Sequence, residues 1–109
     1  MRVNLSGHHV DVTPALRSYV ERKLARVLRR SDRVIEVNCT LTVDALRHRA
    51  ESTVYSSGPA IHASAEAEDM YAAIDALADK ITRRVRKRKE RAGERRKPEA
   101  RRLGLALAH

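Results

Sequence analysis

Val34-Ile35-Glu36-Val37-Asn38-Cys39-Thr40-Leu41-Thr42-Val43-Asp44 alternates apolar and polar side chains along its whole length. Ile35, Val37, Cys39, Leu41 and Val43 share one face, and Glu36, Asn38, Thr40, Thr42 and Asp44 share the other. Successive side chains of an extended chain point to opposite sides, so this stretch predicts a half-buried strand. Such a strand needs hydrogen-bonding neighbours for its backbone and a cover for its apolar face.

The flanking sequence supplies both. Downstream, residues 47–55 place Ala50, Ser52 and Val54 two apart and predict a more polar strand. Ser57-Gly58-Pro59 signals a turn, and residues 60–66 predict another strand with Ile61, Ala63 and Ala65 inward. The three strands make an antiparallel meander. Upstream, residues 2–6 set Val3 and Leu5 on one face of a short strand that stops at Gly7. Thr13-Pro14 reads as a helix N-cap followed by proline at the first helical position. Leu16, Tyr19, Val20, Leu24, Val27 and Leu28 then recur at helical spacing, which predicts a helix over 14–30 ended by Ser31-Asp32.

A second helix opens at Glu68-Asp69, where acidic residues suit the positive helix end. Met70, Ile74, Leu77, Ile81 and Val85 form its apolar stripe, with Tyr71 and Ala78 at the edge. It is predicted to run to Ala92 and stop at Gly93. Residues 94–109, with Pro98 and an LGLALA run, are expected to be a mobile tail on a domain of residues 1–93. The expected fold is α+β in the order β-α-β-β-β-α, with two helices packed on one face of a four-stranded sheet. The other face, with Asn38, Thr40 and Thr42, is left open to solvent or a partner.

The 109 residues carry 23 Lys and Arg against 14 Asp and Glu, a formal charge of +9. Residues 1–80 are balanced, with 11 basic and 11 acidic side chains, while residues 81–102 hold 12 basic and 3 acidic. A neutral body with a cationic arm points to a polyanionic partner. The sequence holds no apolar run long enough to span a membrane and no apolar signal core, which predicts a soluble protein of the cytoplasm. One cysteine excludes a disulfide framework and a cysteine-based zinc site. With three tyrosines and no Phe or Trp, modules that stack several bases on sheet aromatics are disfavoured.

Nothing in the sequence signals catalysis. G-x-S-x-G, Walker A and G-x-G-x-x-G motifs are absent, so no enzyme, cofactor or small-molecule substrate is expected. No helical i, i+4 histidine pair exists and His8-His9 point opposite ways on extended chain, so no metal site is expected. One histidine is expected to be a buried hydrogen-bonding residue. Cys39 points inward as a small inert thiol. Asp75 and Asp79 are placed on the polar face of the second helix, away from the core.

On helical wheels the basic residues are one-sided. Arg22, Lys23, Arg26, Arg29 and Arg30 flank the first stripe with Tyr19 among them, and Lys80, Arg83, Arg84, Lys87 and Arg91 occupy the same-handed flank of the second. Acidic residues are absent from these flanks. Side by side, the stripes are expected to line one positive groove and its edge, a track for phosphates. Arg88 falls in the apolar arc, so the second helix is expected to outrun the sheet there.

LSGHHVDVTPALRSYVERKLARV (5–27) and IHASAEAEDMYAAIDALADKITRRVRKRKER (61–91) resemble the opening and the last strand and second helix of the ribosome hibernation-promoting factor family, also called ribosome-associated inhibitor or protein Y. The resemblance covers about residues 1–92 and implies the same β-α-β-β-β-α fold. It also implies a function: binding the small ribosomal subunit of the 70S ribosome where messenger RNA and A- and P-site transfer RNA lie. That binding blocks translation in stationary phase or stress. By the same resemblance, 16S ribosomal RNA is contacted by Arg22, Lys23, Arg26, Arg29 and Arg30 on the first helix. On the second it is contacted by Arg83, Arg84, Arg86, Lys87, Lys89 and Arg91.

The length matches short members of that family, which lack a second, ribosome-dimerising domain. Some short members prevent ribosome dimerisation, and others favour it with a small partner protein. The tail ERRKPEARRLGLALAH decides for neither. A double-stranded RNA-binding module is the alternative reading, disfavoured by the extra N-terminal strand. A lipid-binding adaptor lacks the large apolar helix face that insertion requires.

Overall fold

A computed structural model of the chain describes residues 2–29 and 34–87. The strand quoted first is β2 (Val34–Asp44). It lies inside a sheet with β1 (Arg2–His8), β3 (Arg47–Ser56) and β4 (Ile61–Ala67), in the order β1-β2-β3-β4. β2, β3 and β4 form the expected antiparallel meander. β1 pairs parallel with β2, because the chain crosses back through helix α1 (Pro14–Leu28) between them. A second helix, α2, follows β4 and occupies 70–87 of the described residues.

Local chemistry fixes the helix starts. Thr13 caps α1, its hydroxyl accepting from the Leu16 amide at 3.2 Å, and Pro14 opens the first turn. The Asp69 carboxylate accepts from the Ala72 amide at 2.9 Å and caps α2. α1 ends at Leu28 with Arg29 as its C-cap, two residues short of the end that the periodicity suggests. β1 continues past Gly7 to His8. Gly7 is needed there for close approach: a Cβ on it would sit 2.3 Å from the Val10 carbonyl oxygen, where the chain folds back toward α1. The expected second-helix end at Gly93 and the tail 94–109 lie outside the described residues.

The core forms between the helices and one sheet face. α1 contributes Leu16, Val20, Leu24 and Leu28, and α2 contributes Met70, Ala73, Ile74, Leu77, Ala78 and Ile81. Register places Val3, Val37, Val54 and Ile61 in one cross-strand row and Leu5, Cys39, Ser52 and Ala63 in the next. Ala50, Ser52, Ala63 and Ala65 leave β3 and β4 with small buried side chains. Shallow side chains let α2 approach closely while its Ile74, Leu77 and Ile81 fill the space.

One inward assignment is wrong. Ile35 is 66% exposed, and Val34 packs against the core instead. The register shifts between Val34 and Glu36, so Ile35 is an extra bulge residue that throws the alternation off by one.

The opposite sheet face is a polar ladder. Asn4 donates to Glu36 at 2.6 Å and to Asn38 at 2.8 Å, Ser6 meets Thr40 at 3.3 Å, and Thr53 meets His62 at 2.9 Å. Arg47–Glu66 and Arg49–Glu51 ion pairs extend it. The expected buried histidine is not seen among the described residues: His62 is exposed, and His48 is half-buried with its Nδ1 unpartnered.

Candidate nucleic-acid interface

The helices run in the same direction. β4 is parallel to β2, and each helix returns across the sheet from the end of a strand of that orientation. The contacts between them advance in step: Tyr19 meets Tyr71 and Asp75, and Lys23 meets Asp75 one turn on. Same-handed flanks of parallel helices point the same way. The basic flank of α1 therefore faces α2, while that of α2 faces away, toward the β4 edge.

The expectation of one groove lined by both stripes is thereby corrected. Between the helices runs a groove of about 570 Å³ lined by Lys23, Arg26 and Arg86, with Asp75, Asp79 and Thr82 among its polar wall. Lys80, Arg83 and Arg84 instead line a separate shallow concavity with His62, Ala63 and Ser64. Lys80 Nζ donates to the Ser64 carbonyl at 2.6 Å, which occupies an outward acceptor on the edge strand. Arg22 and Arg29 are exposed on α1, and Lys87 is exposed on α2. Arg30, Arg88, Lys89 and Arg91 lie outside the described residues.

Asp75 and Asp79 also depart from the wheel reading, which left the flanks free of acids. Asp75 accepts from the Tyr19 hydroxyl at 2.5 Å and pairs with Lys23 Nζ at 3.1 Å. The Tyr19 ring meets Tyr71 edge-on at 4.9 Å, and Arg22 and Lys23 stand 5.3 and 5.5 Å from its centre. Sequence reasoning missed this node because it joins residues 56 apart. Tyr19 among the cations was its one visible signal.

The node shifts its own titrations. The hydrogen bond from Tyr19, with Lys23 beside it, holds the Asp75 carboxyl below the usual carboxylate range. The same hydrogen bond pushes the Tyr19 hydroxyl up, and Asp75 raises Lys23. At neutral pH the groove therefore holds a fixed ammonium and an ionised carboxylate. Cys39 lies beneath the helices, and burial pushes its thiol up to about 12.

The architecture defines a small α+β domain with clustered cations on its helical layer and a polar ladder with ion-paired charges on the opposite sheet face. A family model described as Sigma 54 modulation protein / S30EA ribosomal protein matches residues 3–92, and the chain belongs to that family. The ribosome hibernation promoting factor of Azotobacter vinelandii is 52% identical over 95 residues, covering 87% of this chain and 89% of its own. The protein of that name from Escherichia coli K12 is 42% identical over 91 residues, covering 84% of this chain and 96% of its own. A ribosomal subunit interface protein from Coxiella burnetii superposes with a TM-score of 0.79 at 31% identity, covering 83% of this chain and 99% of that one. The N-terminal domain of Thermus thermophilus Protein Y does so with a TM-score of 0.75 at 34% identity, covering 80% and 98%.

Proposed function

We propose that this protein is a ribosome hibernation factor that lodges in the messenger and transfer RNA channel of the small ribosomal subunit and blocks translation by occupying it. The observation that carries the reading is the 52% identity, across nearly the whole domain, to a protein named for ribosome hibernation. The placement of the cations supports it. Lys23, Arg26 and Arg86 between the helices and Lys80, Arg83 and Arg84 along the β4 edge give a ribosomal RNA surface two groups of phosphate partners. Arg22, Arg29 and Lys87 extend both groups, and Arg30, Lys89 and Arg91 belong to the same basic runs of sequence.

The mechanism is steric, with no bond made or broken. Inhibition of a cell-free translation system is expected to saturate near one protein per ribosome, with ribosomal RNA intact and no dependence on added nucleotide. Sub-stoichiometric, time-dependent loss of ribosome activity would overturn the proposal.

A further inference from the structure

We propose that Asp75 is a positioning residue for RNA binding: it holds Lys23 in the groove between the helices, so that an acidic side chain strengthens the hold on a polyanion. This rests on the ribosome-binding reading and names how one of its contacts is built. Coulomb's law alone assigns Asp75 the opposite role, since a carboxylate among Lys23, Arg26 and Arg86 repels phosphate.

The geometry decides between them. Both donors to Asp75 come from α1, the Tyr19 hydroxyl and the Lys23 ammonium, so the carboxylate joins the two helices. Lysine is a point charge on a flexible four-carbon stem, and ordering it on binding costs affinity. Here the ammonium is already paired with Asp75 and stands 5.5 Å from the centre of the Tyr19 ring. An ammonium has three donors, so one bond to Asp75 leaves others for phosphate oxygens. Exposed ion pairs contribute little to stability, and this pair is 32% and 46% exposed, so its main effect is orientation.

The two roles predict changes of opposite sign. Binding of small subunits is to be measured by sedimentation for the wild type, Asp75→Asn, Asp75→Glu, Lys23→Met and the Asp75→Asn/Lys23→Met double variant, with circular dichroism on each. Asp75→Asn is expected to bind about fivefold to tenfold more weakly, the loss expected for one charge-assisted contact no longer held in place. Asp75→Glu is expected to recover much of that loss. In the Lys23→Met background the Asn substitution is expected to weaken binding no further. Tighter binding by Asp75→Asn, or an equal loss in both backgrounds, would overturn the proposal. Failure of the wild type to bind small subunits would instead overturn the functional reading beneath it.

Discussion

Cys39 sits 1% exposed in the row between Leu5 and Ser52, and burial there favours its neutral thiol. The thiolate is the reactive form, so the folded protein is expected to resist thiol reagents at pH 8 and to label fully in denaturant, where the thiol returns to about 8.5. Rapid labelling under native conditions would contradict the packing. Because the folded value is the higher one, this group's contribution to stability is present below about pH 8.5 and is lost as pH rises toward about 12. A second residue marks the β2–β3 turn. Ala45 takes a left-handed φ of 53°, which costs an L side chain energy and glycine almost none. Ala45→Gly is expected to raise stability by up to about 1 kcal/mol, read as a higher denaturant midpoint with an unchanged slope.

Between elements, the Tyr19–Asp75–Lys23 node makes the packing of α1 on α2 sensitive to acid. Asp75 has a folded value below its unfolded one, so its contribution is present above about pH 3.9 and is lost as pH falls through the lowered folded value. Solvent screens this exposed pair, so thermal melts are expected to show Asp75→Asn below the wild type by no more than a few degrees at pH 7, with the gap closing near pH 2. A constant gap would place the loss elsewhere. The parallel helices also predict that the two cation groups act on different RNA segments. Neutralising Lys23 with Arg26, and Arg83 with Arg84, is expected to weaken ribosome binding additively in free energy. A combined loss far from the sum would mean one shared contact.

The elements were readable because short-range rules fix them: β2 by its alternation, the helix starts by Thr13-Pro14 and Asp69. The Ile35 bulge was not, since alternation alone cannot show where a strand gains a residue. Nor was the direction of the cationic flanks. A helical wheel gives the face of one helix but not its orientation against another, which here follows from strand order. Asp75 looked like a solvated acid for the same reason.

On the proposed function the whole molecule is a steric plug, held in the small subunit by phosphate contacts. Charge neutralised along a polyanion releases counterions, so binding weakens steeply with salt. Among the described residues no helix is long and apolar enough to cross a membrane. The most direct measurement is sedimentation with purified 30S, 50S and 70S particles at several salt concentrations. The protein is expected to travel with 30S and 70S particles but not with 50S, and to lose affinity by orders of magnitude between about 50 and 200 mM salt. Travel with 50S alone, or binding indifferent to salt, would contradict the account.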